Sequence, residues 1–177
     1  FKCENFQKVG AFKARGATNA VYSLADDVAP RGVVTHSSGN HGAALAYAAA
    51  RRGIPAWVVM PDNAPKVKQE NVRRFGATIR YCAPTVDARE AACAEVERDT
   101  GATLVHPFDD ERVIAGQGTV ALELLADVPG LDIVIAHAPG HTRGSAMFRP
   151  RTSAEEAPLL LAGDVLFAGS IGRTDLP

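Results

Sequence analysis

Gly32-Val33-Val34-Thr35-His36-Ser37-Ser38-Gly39-Asn40-His41-Gly42 is a short β-branched run that stops in a polar, glycine-bearing turn. Residues 32–35 read as a buried parallel strand, because Val and Thr pack well on a pleated surface and turn residues bound the run. Residues 37–42 read as the turn. Ala43-Ala44-Leu45-Ala46-Tyr47-Ala48-Ala49-Ala50-Arg51-Arg52 follows, a helix by propensity with Gly53 as its C-terminal stop. Strand, tight turn and helix in that order are the opening of a βαβ unit.

The alternation extends in both directions. Upstream, Ala14, Ala17, Ala20, Val21 and Leu24 recur at helical spacing, which predicts a helix over residues 12–24. Residues 1–9 have no assignment beyond a strand end or loop. Downstream, apolar runs predict strands at 56–60, 78–81, 103–105 and 132–135. Helical patterns fill 65–75, 86–99 and 118–126 between them. The fold class is therefore α/β, a parallel sheet with helices on both faces. Ligands of such sheets bind outside the carboxyl ends of the strands, where residues 37–42 lie.

After residue 136 the rhythm changes. Residues 138–145 read as a loop, and 145–148 and 158–162 as two strands around a polar linker, a hairpin-like pattern. Two modules follow, 1–135 and 136–177.

Composition excludes several classes. Lys+Arg is 19 against Asp+Glu 20, a net charge of -1, which gives no electrostatic ground for nucleic acid or an anionic membrane. Cys3, Cys82 and Cys93 are widely spaced with no C-x-x-C pair, which fits a reducing cytoplasm and argues against a disulfide framework or a thiolate zinc site. No apolar run approaches the roughly 20 residues that span a bilayer, and no signal-peptide pattern opens the chain. The opening Phe1-Lys2-Cys3-Glu4 has no methionine and falls within an element, so a missing N-terminus is expected.

Gly10-Ala11-Phe12-Lys13-Ala14-Arg15-Gly16-Ala17 sets one lysine between an aromatic and small residues. A lysine amine can condense with an aldehyde cofactor, and the imine exchanges with an amino-acid substrate. The turn supplies complementary parts. Ser37 and Ser38 offer hydroxyls, and Gly39 and Gly42 let backbone N–H groups approach a carboxylate. The helix N-terminus adds partial positive charge. Asn40 can donate to a phenolate oxygen. His36 and His41 read as hydrogen-bonded structural residues rather than proton carriers.

These stretches, with Lys2-Cys3-Glu4-Asn5-Phe6-Gln7, Gly76-Ala77, His106-Pro107-Phe108-Asp109 and Ile114-Ala115-Gly116-Gln117-Gly118-Thr119, resemble the fold-type II pyridoxal-phosphate enzymes. The narrower likeness is to serine racemase and the threonine/serine and hydroxyaspartate dehydratases, over residues 1–135. The resemblance implies a cytoplasmic ammonia-lyase or racemase acting on serine, threonine or hydroxyaspartate through pyridoxal 5'-phosphate. Lys13 would form the Schiff base and carry the α-proton on one face, and Ser38 would serve the other. Phe12 would pack near the cofactor, and Asn40 would bond its 3′ oxygen. Ser37, Ser38, Gly39, Asn40 and His41 would hold the substrate carboxylate. The Lys13 amine is expected within about 8 Å of the Ser38 hydroxyl, in one cleft. The family's glycine-rich phosphate loop should follow a strand such as 132–135 and does not, nor do its later cofactor and cation residues. Cofactor retention and activity should suffer accordingly. A homo-oligomer is compatible with this reading.

His137-Ala138-Pro139-Gly140-His141-Thr142-Arg143-Gly144-Ser145 and Leu161-Ala162-Gly163-Asp164 resemble another family, the metallo-β-lactamase fold on its glyoxalase II-like hydrolase side. By that resemblance His141 and Asp164 would be metal ligands. Two ligands do not complete a catalytic site, and no H-x-H-x-D-H motif is present, so stable divalent-metal binding is not expected. The competing readings are a metal-dependent hydrolase fragment and a non-catalytic chimeric fragment.

Overall fold

The computed structural model describes residues 2–37, 39–139, 143–151, 160–162, 166–167 and 170–171. The chain divides into two units, Phe1–Glu123 and Leu124–Pro177. In the first, two single 3-10 turns, Glu4–Phe6 and Lys8–Gly10, lead into α1 (Lys13–Tyr22). There follow β1 (Val33–His36), α2 (Asn40–Arg52), β2 (Ala56–Pro61), α3 (Lys66–Arg73), β3 (Thr78–Cys82), α4 (Val86–Thr100) and β4 (Thr103–Leu104). Helix α5 (Glu111–Asp127) begins in this unit.

The four strands form one parallel sheet in the order β3-β2-β1-β4. Val33 pairs with Ala56 and Thr103, and Val34 with Trp57 and Leu104, so β1 is covered on both edges. Successive strand residues face opposite sides of a sheet, and the two cores divide accordingly. Val33, Val58 and Met60 join Val21, Leu45 and Val72 from α1, α2 and α3. Val34 and Val59 join Ala92, Cys93 and Val96 from α4. Helices thus flank both faces, as the sequence predicts. Leu45 and Met60 are fully buried, and such side chains each contribute about 1.5–3 kcal/mol of transfer free energy.

Three local expectations are corrected. Helix α2 starts at Asn40, so residues 40–42, read as turn, form its first turn. Helix α5 starts at Glu111, seven residues before the pattern predicts. Gly116 and Gly118 lower helix propensity and mask it, but Gly116 is where α5 meets α1. A Cβ there would stand 2.6 Å from the Gly16 Cα, and one on Gly16 would stand 2.6 Å from the Val113 carbonyl oxygen. The helices touch through their backbones, which only glycine permits.

The third correction concerns the second unit. Residues 132–135 read as a further parallel strand, but β5 (Ile133–His137) pairs antiparallel with β6 (Ala146–Pro150). An apolar run specifies a strand, not its neighbour. Phe148 also bridges Leu161 in antiparallel fashion, and β7 (Leu166–Phe167) pairs antiparallel with β8 (Ser170–Ile171). The β5–β6 ladder begins at Ile133, before the change of rhythm expected after residue 136.

Candidate active site

Lys13 opens α1 and is half-buried. Its Nζ donates to the Pro107 carbonyl at 2.7 Å and lies 5.2 Å from the centre of the Phe12 ring, which is exposed. Burial pushes the amine below the ordinary lysine range. An amine so shifted offers more free base near neutrality, which nucleophilic attack on a carbonyl requires.

The helix that carries Lys13 is fastened to α5 and the loop before it. Asn19 Nδ2 donates to the Arg112 carbonyl at 2.7 Å, and Gln117 Oε1 accepts from the Gly16 N–H at 3.2 Å. Arg15 uses all five of its N–H groups. Nε and Nη2 donate to the two Glu4 oxygens, Nη1 and Nη2 to the two Glu123 oxygens, and Nη1 also to Thr119 Oγ1, at 2.7–3.0 Å. Such forked pairs fix orientation as well as charge. Bonding to Arg15 and Lys2 pushes the Glu123 carboxyl down to about 2, and Arg15 also holds the Glu4 carboxyl below its usual range. Sequence reading gave Arg15 no part. Its place two residues after the lysine was the available signal, but its carboxylate partners are distant in the chain.

The β1–α2 turn lies at the carboxyl end of the sheet. Ser37 donates its N–H to the Val59 carbonyl, and its Oγ accepts from the Gly39 N–H at 3.2 Å. Gly39 is the N-cap of α2 and lends no side-chain cap, so among the described residues the first N–H groups of the helix are uncapped. A Cβ on Gly39 would meet nothing within 4 Å, whereas one on Gly42 would stand 2.9 Å from Val58 Cγ1. Asn40, the first residue of α2, is exposed. Ser38 lies outside the described residues, and with it the expected distance to Lys13.

His41, expected in the carboxylate loop, turns its ring inward. It is 3 % exposed, and its Nε2 donates to the Val105 carbonyl at 3.3 Å while Nδ1 has no partner among the described residues. Burial pushes it down to about 4. His36 ends β1, and its ring meets that of His106 edge-on at 5.0 Å. Burial lowers both. Val105 donates its N–H to the Val34 carbonyl, which sets residues 105–107 beside the end of β1. Lys13, residues 106–107, His36 and Ser37 thus form a connected group at the carboxyl ends of β1 and β4. A separate cavity of about 520 Å³, lined by Arg15, Tyr22, Tyr47 and Arg51 among others, has no Lys13 in its wall.

These residues fit an aldehyde cofactor with an anionic substrate. The amine is half-buried and depressed, and open space adjoins the uncapped helix N-terminus that favours an anion. For the second resemblance, both His141 and Asp164 lie outside the described residues. Among the described residues no group of three or more His, Cys, Asp or Glu is placed to hold a metal ion. His137 Nε2 lies 2.8 Å from the Arg143 carbonyl oxygen.

A half-buried, depressed lysine at the carboxyl end of a parallel sheet is compatible with a carbonyl-cofactor enzyme. The family model described as pyridoxal-phosphate dependent enzyme matches residues 1–158, and the chain belongs to that family. The match runs past the junction expected at 135/136. The β-hydroxyaspartate dehydratase of Paracoccus denitrificans (strain Pd 1222) is 57% identical over 140 residues, 79% of this chain and 44% of that protein. Human serine racemase is 50% identical over 143 residues, 79% of this chain and 42% of the enzyme. Among solved structures, maize serine racemase superposes with a TM-score of 0.73 at 53% identity, covering 75% of this chain and 40% of that one. The chain therefore spans less than half the length of these relatives. Among the described residues no helix is long and apolar enough to cross a membrane.

Proposed function

We propose that this chain is the lysine-bearing part of a cytoplasmic pyridoxal-phosphate-dependent ammonia-lyase or racemase acting on serine, threonine or hydroxyaspartate. The observation that carries the reading is the half-buried Lys13 amine, held on the Pro107 carbonyl at the carboxyl end of the parallel sheet. When bound, pyridoxal phosphate supplies the electron sink for a carbanion at the substrate's α-carbon. The chain's own residues do the rest. Lys13 Nζ takes or returns the α-proton on one face, and the Ser38 hydroxyl does so on the other. The uncapped start of α2, with Ser37, Gly39 and the backbone of His41, receives the substrate carboxylate. Asn40 would donate to the cofactor's 3′ oxygen, and the exposed Phe12 ring would lie near it. After β5 comes Ala138-Pro139 rather than a run of glycines. This chain alone should therefore hold the phosphate weakly.

The test is a titration with pyridoxal phosphate, followed by borohydride reduction and peptide mapping. The pyridoxyl group should sit on Lys13, and Lys13→Ala should abolish the absorbance of lysine-bound cofactor. Equal labelling of Lys66 and Lys68 would sink the assignment. Serine, threonine and hydroxyaspartate are then compared as substrates, with ammonia release separated from inversion. The second reading, residues 136–177 as a metallo-β-lactamase-like segment, finds no support in the family match, which runs through residue 158. Metal content well below one equivalent is expected. Stoichiometric zinc or iron, lost on His141→Ala, would promote a hydrolase reading, and silence in both assays a non-catalytic fragment.

A further inference from the structure

His106 touches the same turn as Lys13. Its Nδ1 accepts the backbone N–H of Asp109 at 2.9 Å and that of Phe108 at 3.4 Å. A ring nitrogen that accepts N–H groups carries no proton, so the proton resides on Nε2 and one tautomer is selected. The ring is itself fixed, edge-on to His36 at 5.0 Å and to Phe108 at 4.5 Å.

The Phe108 N–H and the Pro107 C=O belong to one planar peptide group. The chain has no cis peptide among its described residues, and in a trans peptide the two bonds point in opposite directions. Drawing the Phe108 N–H toward the His106 ring therefore aims the Pro107 carbonyl away from it. On that other side stands the Lys13 amine, 2.7 Å from the carbonyl oxygen.

We propose that His106 is a positioning residue for the Lys13 amine, acting through the orientation of the Pro107–Phe108 peptide. This rests on the reading of Lys13 as the reactive lysine. The ring touches neither Nζ nor any reacting atom; it fixes the acceptor that holds Nζ at the mouth of the sheet. Burial lowers His106 below its ordinary value, which keeps the ring neutral and Nδ1 available as an acceptor near pH 7. Asparagine can take over the same two N–H groups in an Asx turn, whereas leucine and phenylalanine cannot.

The experiment uses the cofactor-free full chain. Acetic anhydride labels lysines competitively across a pH series, and mass spectrometry reads the midpoint of each site. Exposed Lys66 and Lys68 are the internal references. In the parent, Lys13 should titrate below both. In His106→Leu or His106→Phe, read where circular dichroism shows the parent fold, its midpoint should rise toward theirs by about half a pH unit or more as the amine leaves its buried place. His106→Asn should keep the parent midpoint, and it carries the test if neither acceptor-free variant folds. Amide exchange at Phe108 and Asp109 should quicken in the leucine and phenylalanine variants only. An unchanged Lys13 midpoint in a folded acceptor-free variant, or a shifted one in His106→Asn, would overturn the proposal. A parent Lys13 that titrates with Lys66 and Lys68 would instead overturn the reading of Lys13 beneath it.

Discussion

Acidification from pH 7 to pH 5 should destabilise the first unit chiefly through His41. Its ring is 3 % exposed and sits with one nitrogen on a carbonyl and the other without a partner among the described residues. Burial takes its value from 6.5 down to about 4 in the folded chain. The unfolded chain therefore takes up the proton first as pH falls. The stabilising contribution is whole above about pH 6.5 and drains away toward pH 4. At about 1.4 kcal/mol per pKa unit the gap amounts to about 3 kcal/mol, of which about 2 kcal/mol is gone by pH 5. His36 and His106 shift in the same direction and add to the slope, while the lowered carboxyls of Glu4 and Asp110 act at lower pH. The assay is urea unfolding followed by the fluorescence of Trp57, the single tryptophan, which packs on the core beneath α4. His41→Gln keeps a donor for the Val105 carbonyl and has no titration, so it should lose about 2 kcal/mol less than the parent over this range. Equal losses in the two proteins would show that His41 is not the acid-sensitive group.

Gly16→Ala and Gly116→Ala each force a Cβ into backbone at 2.6 Å, and each should cost about 1–3 kcal/mol or more in urea unfolding. Arg15→Lys keeps the charge but cannot fork to Glu4 and Glu123 together. Its thermal midpoint should fall below the parent's, and imine formation with added pyridoxal phosphate should weaken, as absorbance will measure. Cys93 is buried, with its thiol pushed up to about 12; Ellman's reagent at pH 8 should leave it unreacted until urea is added, and mapping of the labelled peptides checks this.

The α/β pattern was legible because each strand of the sheet is a β-branched run between glycine or proline stops, and Ala-rich α2 reads as nothing but helix. Lys13 stood out in the sequence only together with the polar turn at residues 37–42. Its acceptor was not legible, since a backbone carbonyl at Pro107 leaves no mark in the residue types. The start of α5 was hidden for a related reason. Glycine ordinarily interrupts a helix, and at 116 it marks a helix pressed against another. For His41 the turn pattern placed the residue near the site but not its side chain, because the first turn of a helix points successive residues in different directions. β5 was legible as a strand and illegible in its pairing, which depends on where β6 returns.

The contact between Lys13 and Pro107 joins residues 94 positions apart. A ribosome adding about 5–20 residues per second makes the lysine roughly 5–20 s before its acceptor. Through that interval α1 has β1 to β3 to fold with but not the segment that aims its amine. Until residues 106–107 are made, the Lys13 amine lacks the carbonyl acceptor that holds it in the folded unit. The anchoring of α1 is therefore acquired in stages during synthesis, first against the strands and then, through Gly16 and Gly116, against α5.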